Sequence, residues 1–184
     1  MTRVTQRRGP VAVVLGMVLI LGTAHSATLA PEKLPERVAT TFRTTFPNAT
    51  IDKLDADEED GVMIYDFEFH VGDRDKETDI TANGTMIEST LVIPRDKIPA
   101  PAMKGIQAAA KGATLGRCEW METFYELKAG KTIAMAKPVI KYAAEMTKNG
   151  KQAEVVVATD GKVVEAPEWE PIPPVKAPSG KTGK

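Results

Sequence analysis

Cysteine and histidine are scarce in this chain of 184 residues, which has one Cys and two His. A single Cys excludes a disulfide framework and any zinc site built from several cysteines. Aromatic residues make up only 5% of the chain, and the formal net charge is −1. A nearly neutral chain does not fit nucleic-acid binding, which needs a basic surface. Hydrophobic residues still account for 42%, enough for one large or two small globular domains.

The common catalytic motifs are also missing. The sequence contains no G-x-S-x-G, no P-loop and no H-E-x-x-H. A Ser or Cys nucleophile needs a base beside it, and only His70 is available outside the N-terminal segment. We therefore interpret Cys118 as a small buried residue. The sequence predicts no catalytic residues, no cofactor and no enzyme activity.

Long hydrophobic runs are absent except near the N terminus. The apolar segment from Val11 to Gly22 follows a basic stretch and precedes Ala24-His25-Ser26, a small-residue cleavage pattern. This arrangement is typical of a secretory signal peptide. The run is shorter than the roughly 20 residues that span a bilayer. We therefore predict that residues 1–26 are cleaved, and that the mature protein is periplasmic or secreted without stable membrane insertion.

Matching residues recur at constant spacing, which indicates an internal duplication. Leu34-Pro35 and Ile98-Pro99 are 64 residues apart, whereas Tyr65 and Tyr142 are 77 apart. The difference indicates an insertion in the second copy, which we assign to residues 116–138. Other matched pairs are Val38 and Ala102, Phe42 and Ile106, Phe46 and Ala110, Ile80 and Val157, and Gly84 and Gly161.

Each copy has the pattern of a helix followed by strands. An apolar residue at every fourth position from Leu34 to Phe46 predicts a helix, which Pro47 ends. Alternation over residues 62–71 predicts a strand. Residues 55–60, mostly acidic, are interpreted as a solvated turn. Tight-turn dipeptides predict hairpins at Asn83-Gly84, Asn149-Gly150 and Asp160-Gly161.

The predicted fold is α+β, with two tandem copies of a helix packed on an antiparallel β-meander sheet. We assign residues 27–90 to the first copy and 91–166 to the second, with residues 89–97 as the connection. The insertion is predicted to be an extra hairpin of two short strands. The proline-rich tail, 167–184, is predicted to be extended or disordered.

Charge differs between the copies. Residues 34–88 have a net charge of −9, and residues 98–165 have +3. This polarity either holds the two units together or orients a partner.

These motifs resemble PepSY-like domains. The resemblance rests on Leu34-Pro35, Phe46-Pro47-Asn48-Ala49-Thr50-Ile51, Gly61 with Tyr65 and Glu68, and Asn83-Gly84 with Glu88. The second copy departs from the pattern, with Lys111-Gly112-Ala113 in place of F-P-x-A. Tandem copies are similar to a β-lactamase-inhibitor-like group of secreted PepSY-like proteins. The resemblance covers residues 34–165 and implies exported, non-enzymatic units that bind or inhibit secreted hydrolases.

The insertion holds the candidate partner-binding residues. Aromatic side chains are enriched at binding hot spots, and insertions on a rigid scaffold often carry function. We predict binding of a protein or peptide partner there; alternatively, the aromatic residues fill the gap between the two units. The candidates are Trp120, Phe124, Tyr125, Lys128 and Lys131.

The acidic first copy suggests an alternative function, binding of a small ligand or a cation such as calcium. Asp66, Glu68 and His70 alternate along one strand, but residues i and i+4 lie about 13 Å apart there. One ion therefore cannot bind all three, and a solvated sheet face is the simpler interpretation. The segment 55–61 begins like a calcium loop, but its glycine falls one position late. No metal site is assigned.

Overall fold

The computed structural model describes residues 33–172, so the predicted signal peptide and residues 173–184 of the tail lie outside the described part. The apolar stripes form two helices, and the remaining segments form strands of one antiparallel sheet. The elements are α1 (Glu36–Thr45), β1 (Thr50–Glu59), β2 (Val62–Val71), β3 (Arg74–Thr81), β4 (Met86–Val92), α2 (Ala100–Ala110), β5 (Thr114–Lys128), β6 (Lys131–Lys148), β7 (Lys151–Ala158), β8 (Val163–Glu165) and β9 (Glu170–Pro171).

Both helices begin directly after a proline, Pro35 for α1 and Pro99 for α2. Helix α1 ends at Thr45, two residues before Pro47. Its buried face carries Val38 and Phe42. In α2, Ala102, Ile106 and Ala110 are buried, so the apolar stripe of each helix faces a core.

The structure has a first half, α1 to β4, and a second half, α2 to β9. The aromatic residues of the first half form a compact core under α1. The ring of Phe42 stacks on that of Phe67, with centroids 4.3 Å apart, and meets Phe69 edge-on at 5.0 Å. Phe67 and Phe69 are fully buried on alternate positions of β2. In the second half, Ala102 and Ile106 of α2 pack on the corresponding strands.

Strands β1 to β8 are neighbours in sequence order, and all pairs are antiparallel. The pairing of β4 with β5 joins the two halves into one continuous sheet. Cross-strand partners point to the same side of a sheet. Phe69 and Tyr142 lie in one such row, so both helices cover the same face.

Three local predictions require correction. The acidic segment 55–60 is not a solvated turn, because β1 continues to Glu59 and only Asp60 and Gly61 form the turn. The predicted connection 89–97 starts too early, since β4 extends to Val92 and pairs with β5. The first error arises because acidic side chains occupy alternate positions of β1 on the face opposite the helices.

The third correction concerns the insertion, which is not a separate pair of short strands. Residues 116–138 lie within β5 and β6, so they lengthen one hairpin. In the tail, Glu170–Pro171 form a short strand that pairs with β7.

The outer part of this hairpin, residues 124–138, is called the outer hairpin below. A break in register separates it from the base of the hairpin: Thr123 pairs with Val139, whereas Tyr125 pairs with Ala134. A β-bulge of this kind bends a strand pair. The bend brings the turn at Gly130 against the turn between β1 and β2, where a Cβ on Gly61 would lie 3.6 Å from the Gly130 Cα.

Each helix is in close contact with a glycine in the turn after the third strand that follows it. A Cβ on Gly84 would lie 3.1 Å from the carbonyl oxygen of Arg37 in α1. A Cβ on Gly161 would lie 2.2 Å from the carbonyl oxygen of Pro101 in α2. The backbone of α2 thus rests directly on the β7–β8 turn.

Candidate functional site

The outer hairpin and the first half line an open cavity of about 510 Å³. Phe124 and Tyr125 of β5 form one side, and the start of β4 forms the other. Because the first half contributes residues some 40 positions earlier in the chain, the insertion alone does not make this cavity. Its lining residues are Gly84, Thr85, Met86, Phe124, Tyr125, Ala134, Met135 and Pro138.

The two faces of the outer hairpin differ. Tyr125 and Leu127 pack with Ile64 and Ile87 of the first half, so this side is anchored. Ile133 is 45% exposed on the outer hairpin. Lys128 and Lys131 are exposed and paired in register at the tip. The other face of the outer hairpin therefore presents Ile133 with its cross-strand partner Glu126, and the two lysines at the tip.

Trp120 lies apart from the other four predicted binding residues. It precedes the bulge, pairs with Tyr142 and Leu91, and packs against the core under α2. It is only partly buried. This position fits the alternative in which an aromatic residue fills space within the fold, whereas Phe124 and Tyr125 line the cavity.

The face opposite the helices carries a row of carboxylates, and we call it the acidic face. The register places Asp55, Asp66, Asp79 and Glu88 opposite one another on four successive strands, β1 to β4. Sequence reasoning identified Asp66 but missed the row. The alternation of β2 and β3 with the turn at Gly72-Asp73 could have revealed the pairing of Asp66 with Asp79.

Two cations of the second half pair with acids of the first half on this face. The Arg117 guanidinium contacts Glu77 of β3, and its Nε lies 2.6 Å from Glu119. Lys141 Nζ lies 3.1 Å from Glu88 Oε2. The opposite net charges of the two halves are thus brought into contact by the continuous sheet.

Burial raises the pKa of several of these carboxylic acids. The pKa of Asp66 rises to about 7 because of burial and the nearby Glu77 and Glu68. Burial, with Asp66 and Glu88 nearby, raises the pKa of Asp79 well above its usual value. Further along the face, burial raises the pKa of Glu119 to about 7 and that of Glu154 to about 8, with neighbouring acids adding to each increase.

The residues considered for catalysis are not close to one another in a reactive arrangement. Cys118 is buried as predicted, and burial raises the pKa of its thiol, which disfavours the nucleophilic thiolate. His70 lies on the opposite face of the sheet from Cys118, and its Nδ1 is 2.8 Å from Asp52 Oδ2. Within residues 33–172, no group of three or more His, Cys, Asp and Glu side chains is arranged to hold a metal ion.

Comparisons with family models and with curated proteins find no match. Solved structures do match. A candidate periplasmic protein from Bacteroides eggerthii DSM 20697 is 13% identical, with a TM-score of 0.52 over 74% of this chain and 88% of its own. A DUF2874 family protein from Bacteroides uniformis ATCC 8492 is 12% identical, with a TM-score of 0.52 over 73% and 88%. At such identities the likeness shows the fold.

A BLIP-like protein from Bacteroides fragilis NCTC 9343 also matches, at 11% identity and a TM-score of 0.49, over 78% of this chain and 91% of its own. In the described part of the chain, neither helix has the length and apolar character needed to cross a membrane.

Proposed function

We propose that this chain is an exported, non-catalytic binding protein that takes a protein or peptide partner at the outer hairpin. The observation that carries the proposal is the open cavity lined by Phe124 and Met135, with the exposed Ile133 two residues before Met135 on the same strand. A cavity lined by aromatic and methionine side chains, close to an exposed apolar residue, suits an inserted anchor residue of a partner. The predicted signal peptide and the match to a candidate periplasmic protein support export.

The surroundings of the cavity favour a partner segment that is apolar and acidic. Lys128 and Lys131 at the tip and Lys137 near the cavity are exposed, while Glu126 is the one acid of the outer hairpin. Complementary charge accelerates association and excludes wrong partners. A secreted hydrolase with such a surface loop is the partner class that the PepSY-like resemblance implies.

We further propose that the two halves derive from one PepSY-like unit, with the boundary after β4. Equivalent hydrogen bonds support this: Gly84 N donates to Thr81 O, and Gly161 N donates to Ala158 O. Both pairs stand at the 77-residue spacing. Gly84 lies against Arg37 of α1, and Gly161 lies against Pro101 of α2. Arg37 and Pro101 are 64 residues apart, which is the spacing found for the helices.

The binding proposal predicts that Ile133→Asp weakens partner binding without unfolding the protein. Ile133 is exposed, so the core loses no contact, whereas a carboxylate would be placed in an apolar interface. A hot-spot residue is worth about 2 kcal/mol, or about 30-fold in affinity. The measurement is affinity capture from periplasmic extract with quantitative mass spectrometry, followed by titration of the captured protein.

Val163→Asp is the matched control, because Val163 of β8 is 46% exposed and lies on a different strand. It is expected to capture the same protein as the wild type. Equal capture by the Ile133 and Val163 variants would remove the outer hairpin from the binding surface. Circular dichroism of both variants checks that the sheet is retained.

A further inference from the structure

The two central carboxylates of the acidic row differ from the outer two. Asp55 at one end is paired with Lys53 at 2.8 Å, and Glu88 at the other end is paired with Lys141 at 3.1 Å. Asp66 and Asp79 stand between them, directly opposite each other on β2 and β3. Neither makes an ion pair within residues 33–172.

The environment of this central pair is short of hydrogen-bond donors. Asp66 Oδ1 and Glu77 Oε2 are fully buried and lack hydrogen-bond partners among the described residues. Glu77 as a whole is only 3% exposed. The charged groups that face the pair from the surrounding strands are Lys53, Asp55, Asp57 and Glu59 of β1, Glu68 of β2, Glu77 of β3, Glu88 of β4, Arg117 and Glu119 of β5, and Lys141 and Glu145 of β6.

The nearby cations do not neutralise these acids. Arg117 is engaged by Glu77 and Glu119, Lys53 by Asp55 and Glu68, and Lys141 by Glu88. Side chains directly opposite across two strands have Cβ atoms about 5 Å apart, where like charges destabilise a sheet. Two ionised carboxylates would therefore repel each other in a setting that water screens poorly.

We propose that the Asp66–Asp79 pair is a proton-binding site, which takes up protons when the protein folds and makes the sheet more stable in mildly acidic than in alkaline solution. A protonated carboxylic acid supplies the donor that the buried oxygens lack. It also removes the repulsion between opposite strands. The site is independent of the outer hairpin's binding role, since it concerns the stability of the sheet.

The direction of the pH dependence follows from linkage. Burial and neighbouring acids raise the pKa of Asp66 in the folded state from 3.8 to about 7. The folded protein then binds more protons than the unfolded chain between these values, so stability falls as pH rises through that window. For this one group the unfolding equilibrium constant is expected to increase on the order of tenfold between pH 5.5 and pH 8.

The experiment is urea denaturation of the wild type, Asp66→Asn and Asp79→Asn at pH 5.5 and pH 8. Each substitution should lower the unfolding equilibrium constant at pH 8. It should also reduce the ratio of the unfolding constant at pH 8 to that at pH 5.5. Asp96→Asn is the control, because the Asp96 side chain is 75% exposed on the short turn before α2. It should leave the ratio unchanged.

A direct titration keeps the proposal testable if an Asn variant fails to fold. Carbon-13 NMR of the aspartate carboxyl carbons in the wild-type protein should show two that protonate well above the usual range for aspartate. Midpoints below pH 5 for all aspartates would overturn the proposal, as would wild-type stability that increases from pH 5.5 to pH 8. Equal ratios for the wild type and both Asn variants would do the same.

Discussion

Gly161→Ala is expected to lower the free energy of unfolding by about 3 kcal/mol or more, since it combines backbone strain with a clash. Gly161 has φ +86°, a conformation that side chains disfavour. Its new Cβ would lie 2.2 Å from the carbonyl oxygen of Pro101. That atom belongs to the backbone of α2, so the helix must move away from the sheet to make room.

Gly105→Ala tests the same contact from the helix side, without strain in φ. In an exposed helix, replacing Gly by Ala stabilises by about 1 kcal/mol. Here a Cβ on Gly105 would lie 2.1 Å from the carbonyl oxygen of Gly161. We expect the sign to reverse, with a loss of about 1–3 kcal/mol from overpacking. Chemical denaturation of both variants measures the effects.

Gly150→Ala is the matched control for strain alone. Gly150 has φ +72°, but nothing lies within 4 Å of its Cβ position. Its substitution should cost about 1 kcal/mol, the typical penalty of a left-handed non-glycine residue. If Gly150→Ala and Gly161→Ala proved equally destabilising, the clash with α2 would add nothing to the backbone strain. The inferred close packing of α2 on the β7–β8 turn would then be contradicted.

The sequence patterns predicted the helices and hairpin turns well because these depend on local chemistry. The stripe from Leu34 to Phe46 and the dipeptide Asn149-Gly150 need no information from distant residues. Strand β1 was missed because aspartate and glutamate have low strand propensity. In β1, Asp55, Asp57 and Glu59 are tolerated since they point to the acidic face, while Leu54 faces the core.

The joining of the halves could not be predicted in the same way. The pairing of β4 with β5 is a contact between strands separated by a helix, and no turn dipeptide marks it. The cavity could not be predicted either, because it too is formed by segments that are distant in sequence. The insertion marked Phe124 and Tyr125 as candidates, but Met86 of β4, which is distant in sequence, lines the same cavity.

Lys141→Met is the second substitution with a large expected effect. The Lys141 side chain is 6% exposed and that of its partner Glu88 is 8% exposed. Removing one member of a buried ion pair costs about 3–5 kcal/mol, because the other charge stays buried without compensation. Thr123 Oγ1 still donates to Glu88 Oε2, at 2.5 Å, which offsets only part of the loss.

Two comparisons distinguish this charge effect from a packing defect. Adding Glu88→Gln to the Lys141 variant removes the unpaired charge, so the double variant should recover much of the stability. Lys137→Met, at an exposed position of the outer hairpin, should change the free energy of unfolding by less than about 0.5 kcal/mol. Urea denaturation at pH 8 measures all three variants.

The loss in the Lys141 single variant should shrink as the pH falls. Glu165 lies 4.0 Å from Lys141, and burial already raises the pKa of Glu165 to about 7. Without the lysine, Glu165 loses a charge that lowers its pKa, so it gains more by protonation in the folded state, and the variant is less unstable at pH 5.5 than at pH 8. A loss equal at both pH values would mean that Lys141 acts through its aliphatic chain, and that charge pairing does not hold β4 and β6 together.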